Sequence, residues 1–162
     1  HLSILDVGAG SGELLRELRK WFGSRASLTG VEINETAVRS IKGSGIEAVM
    51  ADGLRLPFET DCFDTAFCSL FLHHLGDEDA SQLLAEMARV SRGRIYAIDL
   101  NRDLKAYFFY RMVGRIFLQR LTLEDGSLSI LRSFTAEELQ TLAEKARLRN
   151  VKVERSRVNR LT

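Results

Sequence analysis

The first 100 residues alternate between short apolar runs, which predict buried strands, and longer stretches whose apolar residues recur at helical spacing. The first strand starts at Ile4 and ends in the acid Asp6. Further strands are predicted over Ser27–Ile33, Ile46–Ala51, Asp64–Leu70 and Arg94–Leu100, with helices over 12–22, Asn34–Lys42 and Asp79–Ser91. Because strands that alternate with helices form parallel sheets, we predict an α/β fold: a doubly wound, mostly parallel sheet with helices on both faces.

The last 60 residues follow a less regular pattern. Residues 103–120 predict one helix that is crowded with aromatic side chains. Thr135 and Glu138 have the spacing of a capping box and predict that another helix starts there. We expect a sixth strand over Val151–Arg157. A seventh strand would only be starting at Arg160, so we expect that strand to be truncated or missing.

Composition adds bounds to this picture. A chain of 162 residues with 45% hydrophobic residues suits a single domain over 1–162. Its net charge of +1 gives no reason to expect a nucleic acid as partner, and no apolar run approaches the roughly 20 residues of a membrane span. Cys62 and Cys68 suggest reduced, buried thiols and a cytoplasmic protein, and their spacing predicts no metal site. We expect a small-molecule substrate, while peripheral membrane contact and the oligomeric state stay open.

A glycine loop follows the first strand and is the most informative segment. Gly8, Gly10 and Gly12 let the backbone turn tightly, and the N–H groups of the next helix point at a bound ligand. A dinucleotide fingerprint would place its third glycine at position 13, where this chain has Glu13. The spacing therefore disfavours a nicotinamide oxidoreductase.

Three consecutive predicted strands end in an acid: Asp6, Glu32 and Asp52. In a doubly wound sheet, ligands bind at the carboxyl ends of the strands. A carboxylate at Glu32 can accept hydrogen bonds from both ribose hydroxyls, and Asp52 can accept one from an adenine amino group. One such acid is usually a solvated or capping group, but three beside the glycine loop predict a nucleoside-containing cofactor.

The pattern Asp-x-Gly-x-Gly-x-Gly from Asp6 to Gly12 resembles the cofactor loop of class I S-adenosylmethionine-dependent methyltransferases. Leu56-Pro57-Phe58-Glu59, Cys62-Phe63-Asp64 and the run from Ser69 to Leu75 look like the type 11 branch, which includes quinone-biosynthesis enzymes. The resemblance implies a Rossmann-like sheet and S-adenosyl-L-methionine as cofactor. The implied cofactor-binding residues are Asp6, Gly8, Ala9, Gly10, Gly12, Glu32, Ile33, Asp52, Gly53, Ser69 and Leu70.

The candidate catalytic residues are two histidines after the fourth strand. His74 is our first candidate for a general base and His73 our second, because an imidazole titrates near neutral pH. The alternative is that both only bond the backbone and shape the pocket. By the same resemblance, residues 103–133 follow the fifth strand where a substrate-covering insertion would stand. The candidate substrate contacts are Asp99, Tyr107, Tyr110 and Arg111.

These observations predict a methyltransferase that acts on oxygen or carbon of a small apolar or aromatic molecule, such as a polyketide, a phenol or a quinone precursor. The alternative is a regulatory or scaffold module that binds the cofactor without turnover. Amino-group methylation is disfavoured because Cys68-Ser69-Leu70-Phe71 stands where those enzymes carry Asp or Asn before Pro-Pro.

Overall fold

The computed structural model describes residues 1–156 and 160–162, which alternate strands and helices as the pattern predicts. The strands are β1 (Leu2–Val7), β2 (Ala26–Glu32), β3 (Glu47–Met50), β4 (Phe63–Ser69), β5 (Ser91–Leu100) and β6 (Arg160–Leu161). The α-helices are α1 (Glu13–Phe22), α2 (Glu35–Gly43), α3 (Asp77–Val90), α4 (Leu104–Phe117), α5 (Arg120–Arg132) and α6 (Ala136–Lys145).

Within the described residues the strands form one sheet in the order β3-β2-β1-β4-β5-β6. Strands β1 to β5 are parallel and β6 is antiparallel to β5. The register pairs Asp6 with Gly30 and Glu32 with Met50. The carboxyl ends of β1, β2 and β3 therefore meet at one edge of the sheet, and the predicted fold class is confirmed.

Helices cover both faces of the sheet. Side chains of α3 and α6 pack with Leu5 and Val7 on one face, whereas those of α1 and α2 pack with Ile4 on the other. The predicted buried face of α3, Leu83, Leu84, Met87 and Val90, is buried. The helix begins two residues before the predicted Asp79, because acidic side chains from Asp77 onward favour a helix N-terminus.

Helix α1 buries a narrower stripe than its sequence predicts. Helical spacing in the sequence predicts a buried face of five residues: Leu14, Leu15, Leu18, Trp21 and Phe22. Leu15 is buried, but Leu14 is exposed and Trp21 is 77% exposed. Leu15, Leu18 and Phe22 lie at i, i+3 and i+7 and reach the sheet, whereas Trp21 lies at the border of that stripe.

The carboxyl-terminal part departs from prediction in two places. The helix expected over 103–120 ends at Phe117, and a second helix, α5, follows. The strand expected over Val151–Arg157 forms only an isolated antiparallel bridge between Arg155 and Leu161, and Arg157 lies outside the described residues. The segment pairs with the last residues instead: the N–H groups of Glu154 and Thr162 donate to each other's carbonyl oxygens at 2.8 and 3.0 Å.

Two smaller predictions concern residues at the ends of elements. The capping box forms as expected: Glu138 N–H donates to Thr135 Oγ1 at 3.3 Å, and Thr135 N–H donates to Glu138 Oε2 at 2.8 Å. Cys68 is buried as predicted, but Cys62 is exposed, because it lies in the turn before β4. Among the helices of residues 1–156, none combines the length and apolarity that crossing a bilayer requires.

Candidate active site

The glycine loop leaves β1 and returns into α1 through left-handed backbone. Gly8, Gly10 and Gly12 have φ of +73°, +52° and +83°, a region that non-glycine residues rarely adopt. The N–H groups of Gly8 and Ala9 both donate to the carbonyl oxygen of Val31, at 2.9 and 3.1 Å. A Cβ on Gly8 would lie 2.6 Å from Cγ of Phe71. Glycine is thus required here both for conformation and for space.

The Glu32 carboxylate joins the second strand to this loop. Its Oε2 accepts a hydrogen bond from the N–H of Gly10 at 2.9 Å. Its Oε1 accepts from the N–H groups of Ile33 and Asn34, at 2.9 and 3.2 Å. These bonds fix the half-buried carboxylate beside the glycine loop.

Asp6 lies beneath the loop and is only 3% exposed. Burial, and to a smaller extent the negative charge of Glu32, raises the pKa of Asp6 to about 8. The carboxyl group is therefore mostly protonated at pH 7. A positively charged group bound nearby would favour its ionised form, so the site is electrostatically suited to a cation.

The third strand end adds an acid and an exposed apolar surface. Asp52 is exposed, and its Oδ1 accepts a hydrogen bond from Leu54 N–H at 2.9 Å. Ile33 and Met50, at the ends of β2 and β3, are 70% and 60% exposed. Large apolar side chains this exposed beside carboxylates can contact both faces of a flat heterocycle. A Cβ on Gly53 would lie 2.9 Å from Val7, so this turn packs tightly against β1.

The backbone after β4 is strained where Ser69 and Leu70 were predicted to bind cofactor. Leu70 has φ of +55°, and its N–H donates to the carbonyl oxygen of Ile98 at 2.8 Å. Left-handed leucine costs free energy and is found where surrounding structure enforces it, often at functional sites. The turn places Phe71 against Gly8 and Gly53, which brings this segment to the glycine loop.

The two histidines have different environments. His73 is buried, and its Nδ1 lies 2.7 Å from Oδ1 of Asp99, which is also buried. The other oxygen of Asp99 accepts the backbone N–H of His73 at 3.0 Å, and Oδ1 also accepts Leu100 N–H at 2.6 Å. Both oxygens of the Asp99 carboxylate are thus bonded to protein groups, and one bond from each oxygen holds His73 in place.

His74 is exposed, and its ring lies against that of His73, with 4.1 Å between the centroids. Partial burial, together with His73, lowers the pKa of His74, although Asp99 and Asp125 act in the opposite direction. A neutral, accessible imidazole at pH 7 can accept a proton. Of the two candidate bases, His74 therefore has the accessibility that the role needs.

Each of the four candidate substrate residues contacts another group of the chain. Tyr110 donates its hydroxyl hydrogen bond to the carbonyl oxygen of Thr122 at 3.1 Å and so links α4 to α5. Tyr107 accepts a hydrogen bond from Arg111 at 3.3 Å, and the Arg111 guanidinium lies over the Tyr107 ring. With Asp99 occupied by His73, all four have intramolecular partners, and their contact with substrate stays a prediction.

Sequence reasoning missed Met50 and Phe71 as candidate site residues. Met50 precedes the acid Asp52 by two positions, as Gly30 precedes Glu32, so its place near the strand end could have been found. The contact between Phe71 and Gly8 could not, because it depends on the left-handed turn at Leu70.

Comparison with known proteins agrees with this geometry. The sequence profile of a family described as methyltransferase domain matches residues 4–94. A relative named ubiquinone/menaquinone biosynthesis C-methyltransferase UbiE, from Burkholderia vietnamiensis (strain G4 / LMG 22486), is 30% identical over 119 residues, which are 66% of this chain and 48% of the relative. The chain thus spans about half the length of the curated relatives it matches.

Solved structures of methyltransferases share the fold. The plantazolicin methyltransferase BpumL, in complex with a pentazolic desmethylPZN analog and SAH, superposes with a TM-score of 0.76 at 21% identity, over 96% of this chain and 60% of that one. A SAM-dependent methyltransferase from Aquifex aeolicus gives 0.71 at 18% identity, over 99% of this chain and 79% of that one. The predicted resemblance to class I methyltransferases is confirmed.

Proposed function

The chain belongs to the methyltransferase domain family, and from that premise we propose that it binds S-adenosylmethionine and methylates oxygen or carbon of a small apolar or aromatic molecule. The observation that carries the proposal is the joining of Glu32 to the glycine loop through Gly10 N–H. It brings the Glu32 carboxylate, the glycine loop and the strand end that carries the buried Asp6 together at the sheet edge.

The residues present fit this cofactor. Glu32 Oε2 can accept a ribose hydroxyl in addition to the N–H of Gly10, and Asp52 can accept an amino group. Ile33 and Met50 offer exposed apolar surface for an adenine ring. Asp6, whose pKa is raised by burial, suits the positive charge of the methionine end. The cofactor, when bound, supplies a methyl group on a positively charged sulfur.

The protein's own part in the reaction is to align the acceptor and to hold a proton acceptor near it. Alignment of reacting groups can contribute roughly 7 to 11 kcal/mol. We propose His74 as the general base for an acceptor that arrives protonated, with His73 as its packing partner and Asp99 as the group that orients His73. A base of this kind contributes about 10²- to 10⁴-fold.

For the acceptor, the curated relatives favour carbon, since their name specifies C-methylation in ubiquinone and menaquinone biosynthesis. A quinone precursor is accordingly our first candidate among small aromatic acceptors. A phenol or a polyketide remains the second, because an exposed imidazole at His74 would serve a hydroxyl nucleophile equally well.

The first test is calorimetric titration of the chain with S-adenosylmethionine, S-adenosylhomocysteine and NADH. We expect both sulfur nucleosides to bind and NADH not to bind. Glu32→Ala should weaken binding by about 1.5 to 3 kcal/mol, which is the range for a hydrogen bond to a charged group. Glu35→Ala is the matched control, because Glu35 lies three residues further on, is exposed and pairs with Arg39. Equal affinity of the Glu32 variant and wild type would refute the assignment.

A second test separates the enzyme from a binding module that has no turnover. Methyl transfer from labelled cofactor is measured with prenylated hydroquinone and simple phenol acceptors. We expect His74→Gln to lower kcat and to leave the affinity for S-adenosylhomocysteine unchanged. Loss of both turnover and affinity for S-adenosylhomocysteine would indicate that His74 has a structural role. Cofactor binding without turnover in the full-length protein would favour the regulatory or scaffold module.

A further inference from the structure

The outward side of α4 carries large apolar side chains in solvent. Leu104, Phe108 and Met112 follow one another at i, i+4 and i+8 and therefore line one side of the helix. They are 64%, 67% and 62% exposed, and Phe109 beside them is 64% exposed. We refer to these four residues as the α4 face. A cluster of this kind on one helix marks an interaction surface rather than ordinary surface variation.

The exposure of the α4 face does not come from a helix that lacks packing. On its other side Gly114 is buried, and a Cβ there would lie 2.5 Å from Leu123 of α5. The hydrogen bond from Tyr110 to Thr122 also joins the two helices. One side of α4 therefore packs against α5, and the α4 face lies on the other side, in solvent.

The charged side chains of α4 itself are all cations. Lys105, Arg111 and Arg115 are exposed on the same helix, and the sequence from Leu104 to Phe117 contains no acid. Asp103, which precedes the helix, accepts hydrogen bonds from the N–H groups of Lys105 and Ala106 and pairs with Arg155. A helix that combines large apolar side chains with cations has the composition of helices that bind an anionic lipid interface.

We propose that the α4 face is a membrane-contact surface that binds bilayers containing anionic lipid. Its apolar side chains enter the boundary of the acyl chains, and its cations face the headgroup phosphates. Helix α4 starts four residues after the carboxyl end of β5, and α5, packed on it, brings Asp125 close enough to influence His74. A bilayer on the α4 face would thus lie beside the proposed active site. The inference does not rest on the proposed function.

The test is cosedimentation of the protein with vesicles of phosphatidylcholine, with and without phosphatidylserine. We expect binding only to the vesicles with phosphatidylserine. The double variant Phe108→Ser/Met112→Ser should weaken it at least about 10-fold through lost apolar burial. Lys105→Gln/Arg115→Gln should weaken it about 30-fold at low salt, because each cation near an anionic surface contributes about 1 kcal/mol.

Trp21→Ser is the matched control. Trp21 is more exposed than any residue of the α4 face, but it lies in the last turn of α1, at the opposite end of the sheet from the carboxyl edges of the strands. Its substitution should leave vesicle binding unchanged. Circular dichroism and binding of S-adenosylhomocysteine check that each variant is folded, and the latter also separates failure of this inference from failure of the proposed function.

Three results would overturn the proposal. Wild-type protein that does not bind the phosphatidylserine vesicles is the first, and binding that Trp21→Ser weakens as much as the α4 variants is the second. The third is a dimer in sedimentation that Phe108→Ser/Met112→Ser converts to monomer without any vesicle binding, which would assign the α4 face to a second copy of the chain.

Discussion

The buried acid Asp6 should make the stability of the protein fall as pH rises, and Asp6→Asn should remove that dependence. The pKa of Asp6 is about 8 in the folded protein against a usual value of 3.8. Below pH 3.8 the group is protonated in both states. Between pH 3.8 and 8 the unfolded chain ionises and the folded chain does not, so folding is progressively disfavoured. Asparagine has no proton to lose and avoids this cost.

The size of the effect follows from linkage. One proton held by the folded state and not by the unfolded state changes the free energy of unfolding by about 1.4 kcal/mol per pH unit. The difference in stability between Asp6→Asn and wild type should therefore grow by about 3 kcal/mol from pH 5 to pH 7. That change is large against a total stability of about 5 to 15 kcal/mol.

Urea denaturation followed by circular dichroism at pH 5, 6 and 7 measures the difference. Glu86→Gln is the control: its hydrogen bond with Arg89 lowers the pKa of Glu86, so both states are ionised above pH 5. The Glu86 variant should differ from wild type by the same amount at all three pH values. A difference between Asp6→Asn and wild type that is also constant would refute the inference that burial keeps Asp6 protonated.

Two further predictions concern the glycine loop and its ligand. Gly8→Ala should destabilise the protein more than Gly10→Ala: both pay about 1 to 2 kcal/mol for left-handed backbone, but only the Cβ at Gly8 meets Phe71, whereas Gly10 has nothing within 4 Å. Equal losses in urea denaturation, or no recovery on adding Phe71→Ala to Gly8→Ala, would contradict this contact. Binding of S-adenosylmethionine at pH 7 should release a proton from Asp6, because a nearby cation lowers its pKa. Calorimetry in two buffers of different ionisation enthalpy measures the release; heats independent of the buffer would count against it, and Asp6→Asn is the control.

The sequence predicted the parallel sheet and the cofactor edge because both depend on local patterns. An apolar run that ends in an acid, as at Asp6 and Glu32, predicts the end of a strand and the carboxylate that lies there. Glycine at three alternate positions predicts a tightly turned loop, because glycine adopts backbone conformations that other residues rarely adopt. The parallel order then brings these strand ends together without further information.

Helix α5 could not be predicted in the same way, because tertiary contacts decide it. Gly126 interrupts the apolar pattern of α5. A Cβ at this position would overlap the Tyr110 hydroxyl, which lies there because it donates a hydrogen bond to the carbonyl oxygen of Thr122. The glycine that weakens the helix locally is what lets α4 dock against it. Strand β6 lies at Arg160–Leu161, where the sequence predicts that a truncated strand starts, and it pairs with β5 at Asp99 and Leu100.

The charges of Asp6 and Glu32 depend both on the local sequence and on the tertiary fold. Sequence places Asp6 and Glu32 at neighbouring strand ends, but only the fold buries the first and leaves the second half-buried. Two acids placed this close disfavour each other's charge, a cost that natural sequences retain mainly where function requires it. A bound cation would favour the ionised form of Asp6. It would therefore offset the loss of folding stability that Asp6 causes as pH rises. The carboxyl group that destabilises the free protein near neutral pH would then attract a positively charged cofactor once ionised, so both effects depend on the ionisation of Asp6.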